Sequence, residues 1–150
     1  MPSGTVKPEE IHQFCIDYEL KIKEAGGLDF QLLGIGRTGH IGFNEPGSHF
    51  NSGTRNITLD HITRIDAAPG FLGIDHVPRV AITMGISTIR KAKRIVLLAW
   101  GVNKASVIRQ TIEGEVTSEV PATYLQHHDN VTFVLDEGAS ADLTRVKTPW

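Results

Sequence analysis

Residues 32–48 read LLGIGRTGHIGFNEPGS, and the first third of that stretch decides the fold. Leu28 to Gly36, LDFQLLGIG, is a short apolar run closing on glycines, the pattern of a buried strand that enters a tight turn. Ligands of open parallel sheets collect beyond the carboxyl ends of the strands, so the residues after Gly36 are where chemistry is expected. Gly36 and Gly39 let the backbone turn sharply and come close to a ligand. His40 and Glu45 follow, five positions apart, a spacing that an irregular loop can fold together. A carboxylate beside an imidazole fixes its tautomer and stabilises positive charge on it, which makes a general acid/base unit suited to neutral pH. Pro46 stiffens the chain after Glu45, and Asn44 can take a positive φ or donate its amide. On composition alone, a loop histidine that only satisfies backbone carbonyls is the plainer alternative.

The surrounding chain alternates helix and strand. Pro8, Glu9 and Glu10 suit a helix N-terminus. Ile11, Phe14, Cys15, Tyr18 and Ile22 recur on one face, with Cys15 half-buried, and Gly26-Gly27 ends the helix. From Arg37 to about Pro78 the chain is polar, too long for an idle loop, so a functional loop with short elements is expected. Val80 to Ile86 reads as a strand or an extended piece, and Lys93 to Gly101 as the clearest buried strand. Asn103 is expected to cap a helix that Gly114 closes. Val131 to Ala139 is expected to be another strand, with a last helical turn from Ser140 onward. The order implies an α/β fold: a Rossmann-like, mostly parallel sheet with helices on both faces.

Composition narrows the function. The 150 residues suit one domain, and 40% hydrophobic with 21% charged residues is ordinary for a globular protein. A net charge of −2 supplies no basic excess for phosphate backbones, so no nucleic-acid partner is expected. No apolar run approaches a membrane span, the opening residues lack a signal-peptide core, and the single cysteine, Cys15, fits a reducing compartment; the expectation is a cytoplasmic protein with no membrane partner. His61, His76, His127 and His128 lack metal-site spacing, so no metal is expected. Trp100, at the end of its strand, reads as packing.

Several separated motifs carry a resemblance. GHIGFNEPGS resembles the GHIAFNEP signature of glucosamine-6-phosphate deaminases, and the likeness continues through TRNITLD, VPRVAITMGISTIRKAKRIVLLAWGVNKA, TYLQHH and VLDEGAS, from about Tyr18 to Thr148. The related 6-phosphogluconolactonases share the Gly-rich strand end and a GH pair but lack the FNEP continuation. The resemblance implies conversion of glucosamine 6-phosphate to fructose 6-phosphate and ammonia, with no metal or organic cofactor. It implies that His40 opens the sugar ring by moving a proton between the ring oxygen and the C1 hydroxyl, that Glu45 pairs with it, and that Lys104 helps hold the sugar phosphate. Gly36, Gly39 and Asn44 fall on the substrate-binding loop, and homo-oligomers are expected. Thr54 and Arg55 match a Thr-Arg pair whose arginine serves an allosteric site in some members, although Ile57 stands where those members carry a lysine.

Two departures bear on mechanism. Thr38 stands where the family has an aspartate of the acid/base relay, and Thr38 carries no charge. The family's phosphate-binding arginine falls at Pro69, which leaves Arg64 and Arg79 as substitutes. The family's first part also carries a Gly-rich SGGSTP-like phosphate loop and an aspartate that takes the C2 proton, and neither has a counterpart here. Residues 1–150 are therefore expected to be one partial domain with an incomplete sheet, weak in binding and inactive alone, from an active parent. The alternatives are a non-catalytic sugar-phosphate sensor on the same fold, for which Thr38 speaks, and a 6-phosphogluconolactonase-like hydrolase.

Overall fold

The computed structural model describes residues 7–144. Helix α1 spans Pro8–Glu24, with the Glu10 carboxylate accepting from the Lys7 backbone N–H at 3.2 Å. Strand β1 (Phe30–Gly34) follows, then β2 (Arg55–Thr58), α2 (His61–Ala67), β3 (Val80–Thr83), α3 (Ile86–Arg90), β4 (Arg94–Ala99), α4 (Ala105–Glu113), β5 (Val131–Leu135) and α5 (Glu137–Ser140). Strands β1, β4 and β5 form a parallel sheet in that order, with Leu33, Leu97 and Phe133 aligned across it.

Parallel strands require long crossovers, and the crossovers here carry the core. On one face of the sheet, Leu33, Ile95, Leu97 and Ala99 are buried with Ile86 and Ile89 of α3, Val107 and Ile108 of α4, and Leu125 of the 3₁₀ turn Pro121–His127. Residues of the strands alternate between faces, and the opposite face is open among the described residues. Phe30 and Leu32 there are each more than half exposed, and Val134 is exposed as well. Strand β1 is thus not the buried strand expected from its composition: it lies at the sheet edge, paired only with β4, and its alternate side chains meet no covering layer.

The long polar stretch folds into short elements, as its length demanded. Residues 80–83 form a strand, but they pair antiparallel with β2, Ile57 opposite Ala81, in a separate two-stranded ribbon. The ribbon is tied to the loop after β1: Thr83 Oγ1 accepts from the Phe43 N–H at 3.0 Å, and the Met84 carbonyl accepts from Asn44 Nδ2 at 2.8 Å. Helix α1 is fixed by a polar group on its packed face. One oxygen of Glu19 accepts from the Thr54 N–H (2.8 Å), the Thr54 hydroxyl (2.6 Å) and the Thr88 hydroxyl (2.6 Å). Cys15 beside it is buried, not half-buried, and burial pushes its thiol pKa up.

Two ends differ from the sequence reading. Asn103 lies inside a 3₁₀ turn, Val102–Lys104, and α4 begins after it with no side-chain cap. Strand β5 stops at Leu135 because Asp136 caps α5, accepting from Ala139 N–H at 2.7 Å, and also holds the Gly101 N–H at 2.9 Å. The last helical turn expected from Ser140 onward is not there among the described residues: α5 begins at Glu137, inside the stretch expected to be strand, and ends at Ser140, and Arg145 onward lies outside the described residues. His128 is held within the fold, its Nε2 lying 2.7 Å from the Ala92 carbonyl oxygen.

The two faces of the sheet make a direct test. Leu97→Ala is expected to cost about 2–5 kcal/mol in urea unfolding, and Leu32→Ala under about 1 kcal/mol. Equal losses would contradict the assignment of the open face.

Candidate functional site

The chain leaves β1 at Ile35 and turns back on itself before it reaches Ile41. The Gly36 N–H donates to the His40 carbonyl and the Gly39 N–H to the Gly36 carbonyl, both at 3.0 Å. Gly36 has to be glycine, because a Cβ there would overlap the His40 ring. Gly39 adopts a φ of +78°, and a Cβ there would strike the Val120 side chain. The loop is pinned to the following segment as well, since Gly39 O accepts from Ala122 N–H at 2.9 Å and Ser118 O from Gly47 N–H at 2.8 Å.

This turn brings His40, Glu45 and Thr38 together. Nδ1 of His40 lies 3.2 Å from Glu45 Oε2, 3.0 Å from Thr38 Oγ1 and 3.2 Å from Thr63 Oγ1. Thr38 Oγ1 also donates to Glu45 Oε2 at 3.4 Å. The other Glu45 oxygen accepts from the Asp60 backbone N–H at 3.2 Å, at the start of α2. With an ionised carboxylate and two hydroxyls around Nδ1, the tautomer with its proton on Nδ1 is favoured. Nε2 has no hydrogen-bond partner among the described residues. Burial alone raises the Glu45 carboxyl, but hydrogen bonds from His40 and Thr63, the His40 charge and the Asp60 N–H outweigh it and hold it below the ordinary value.

The other expected residues divide. Lys104 stands at the carboxyl end of the sheet and donates from Nζ to the Ile35 carbonyl at 2.8 Å, beside the start of the loop. Burial lowers its pKa, an effect the Arg37 charge adds to and the Asp66 charge opposes. Asn44 does not face a ligand. It is fully buried, its Nδ2 serves the Ile41 and Met84 carbonyls at 2.8 Å each, and its Oδ1 accepts from Arg55 at 2.8 Å. Arg55 also donates to Ser48 Oγ at 2.9 Å and lines a cleft of about 400 Å³ with Glu45, Ser48 and Ile57. Arg64 turns away, donating to the Ile74 carbonyl at 2.8 Å, and Arg79 is exposed at the start of the β2–β3 ribbon, where its carbonyl accepts from the Leu59 N–H. Neither supplies a cation beside His40.

Two contributors escaped the sequence reading. Thr63 reaches the imidazole from α2, with nothing local in the sequence to mark it. Arg37, within the loop, forms a bidentate pair with Asp66 of the same helix, Nε to Oδ2 at 2.9 Å and Nη2 to Oδ1 at 2.6 Å. The RTGH string puts an arginine three residues before the histidine, which was the available signal. No group of three or more His, Cys, Asp or Glu among the described residues is placed to hold a metal ion, and no described helix is long and apolar enough to cross a membrane.

The family described as glucosamine-6-phosphate isomerases/6-phosphogluconolactonase matches residues 2–134. A glucosamine-6-phosphate deaminase-like protein of Bacteroides thetaiotaomicron is 48% identical over 149 residues, 99% of this chain and 22% of that protein. The glucosamine-6-phosphate deaminase of Clostridium botulinum (strain Alaska E43) is 49% identical over 141 residues, 94% of this chain and 56% of that one. The solved structure of a monomeric glucosamine-6-phosphate deaminase superposes with a TM-score of 0.87 at 45% identity, over 94% of this chain and 58% of that chain. The 6-phosphogluconolactonase of Trypanosoma brucei matches with a TM-score of 0.70 over 96% of this chain and 58% of that one; at 19% identity it shows the fold alone. The chain spans about half the length of the deaminases it matches, and less of the Bacteroides protein.

The Glu45 environment fixes a pH signature. A carboxyl held below its ordinary value adds stability that is complete above about pH 4.3, the free glutamate value, and is lost as the pH falls through the lower folded value. Glu45→Gln should therefore lower the urea midpoint at about pH 7, with the deficit shrinking toward about pH 3. A deficit unchanged over that range would contradict the ionised pair.

Proposed function

The chain belongs to the family of glucosamine-6-phosphate isomerases and 6-phosphogluconolactonases, and from that membership we propose that residues 1–150 are a partial deaminase domain carrying the ring-opening half of the active site. The reaction takes glucosamine 6-phosphate and water to fructose 6-phosphate and ammonia. His40 Nε2 accepts the proton of the C1 hydroxyl and returns one to the ring oxygen, so that the C1–O5 bond breaks and the open-chain aldehyde forms. Glu45 holds the Nδ1 proton and balances the charge that appears on the imidazole during the transfer. Thr38 and Thr63 orient the ring. Lys104 meets the anionic end of the sugar phosphate.

The observation that carries this reading is the 3.2 Å approach of His40 Nδ1 to a buried Glu45 carboxylate, with Nε2 without a partner among the described residues. Identities of 48–49% to a deaminase-like protein and a deaminase support the substrate class. The reading includes a cytoplasmic location and self-assembly; against obligatory assembly stands a related deaminase described as monomeric. A second reading, a sugar-phosphate sensor, is favoured by one observation: an uncharged hydroxyl, Thr38, lies against the imidazole.

A chimera decides between them. In it the chain replaces the matching 56% of the Clostridium botulinum deaminase. It is expected to release ammonia from glucosamine 6-phosphate, and His40→Ala is expected to slow it about 10²–10⁴-fold, the usual contribution of a general acid/base. The 150-residue chain by itself is expected to stay at background. Binding of the sugar phosphate by the chimera without ammonia release would establish the sensor in place of the enzyme.

A further inference from the structure

The Arg37–Asp66 pair links the loop to α2 at the surface. Its side chains are 45% and 40% exposed, and an exposed pair contributes little to stability. Its position is more informative than its strength. Helix α2 presents Thr63 to the imidazole and, one turn later, Asp66 to the guanidinium. Lys104 Nζ sits on the Ile35 carbonyl, two residues before Arg37. The pair therefore borders the imidazole on one side and the lysine on the other. The Asp66 carboxyl is held below its ordinary value by the hydrogen bond from Arg37 first, and further by the charges of Arg37, Lys104 and His40.

An arginine fork that binds a carboxylate bidentately also binds a phosphate bidentately. The other arginines near the loop are committed inside the protein: Arg55 to Asn44 and Ser48, Arg64 to the Ile74 carbonyl. Arg37 alone among these three is held by a carboxylate at the surface, which an incoming anion can replace. We propose that Arg37 is the second cation for the phosphate of the substrate, and that Asp66 occupies its guanidinium until the phosphate displaces it and settles between Arg37 and Lys104. This rests on the sugar-phosphate reading of the site. Asp66 is then a built-in competitor: it keeps the arginine oriented while the site is empty and weakens binding by the strength of the pair it must give up.

The two partners should act in opposite directions, which a plain surface ion pair would not do. In calorimetric titration of the chain with glucosamine 6-phosphate, Arg37→Gln is expected to weaken binding about tenfold or more, the loss of a charged hydrogen bond. Arg37→Lys, which keeps charge without the fork, should fall between Arg37→Gln and the parent. Asp66→Asn is expected to tighten binding about two- to fivefold. Titration with glucosamine, which lacks the phosphate, should show no effect of either residue. Unchanged affinity in Arg37→Gln, or weaker binding in Asp66→Asn, would overturn the inference and leave the reading of His40 and Glu45 standing. Equal binding of glucosamine and glucosamine 6-phosphate by the unsubstituted chain would overturn both.

Discussion

A buried carboxylate that reaches both an imidazole and a helix start is the constraint on which this site depends. Glu45 spends one oxygen on His40 and the other on the Asp60 N–H. A charge taken out of water must be paired and hydrogen-bonded, so the loop and α2 are positioned by the same group. If α2 were displaced, Glu45 would lose a donor and the imidazole would lose Thr63. Beneath it, the fully buried Asn44 amide has each of its groups matched, to Ile41, Met84 and Arg55. The loop is held from below by Asn44 and from the side by Glu45, and the sheet fixes only where it begins.

Such a loop is rigid by construction, which general acid/base chemistry needs, because proton transfer requires the donor and acceptor to be placed within hydrogen-bond reach. The charge pattern around it follows from three choices in the sequence. Thr38 leaves Glu45 as the carboxylate on the imidazole. Arg37 adds a cation to the loop, and Asp66 on α2 answers it. The ends of β1 and β4 bring Lys104 into the same field. The open face of the sheet, with Phe30, Leu32 and Val134 exposed, lies below these strand ends, so the site is walled on the loop side and bare on the other among the described residues.

What the sequence made legible was local. The limits of α1, the strand β4, the Gly114 end of α4 and the pairing of His40 with Glu45 all follow from periodicity, breakers and short spacing, and the structure has them. What it hid was long-range. Nothing in VAIT says that it pairs with RNIT and not with the parallel sheet; that choice depends on side-chain bonds to Phe43 and Asn44, about forty residues away. Asn44 and Arg64 looked like ligand-facing polar groups because the sequence does not reveal which backbone carbonyls need donors; Arg79 is exposed at the start of the ribbon, a placement that only the long-range pairing sets. The edge position of β1 was equally hidden, since an apolar run reads the same whether one face is covered or two.

In the proposed chemistry His40 offers Nε2 to the sugar phosphate while Glu45 keeps the proton on Nδ1. Nitrogen-15 NMR of the imidazole, recorded on the chain during titration with glucosamine 6-phosphate, tests it most directly. Neutral His40 is expected to carry its proton on Nδ1, and Nε2 is expected to be the nitrogen whose shift moves as the ligand is added. A proton resident on Nε2, or a ligand that leaves both nitrogens unmoved, would contradict it.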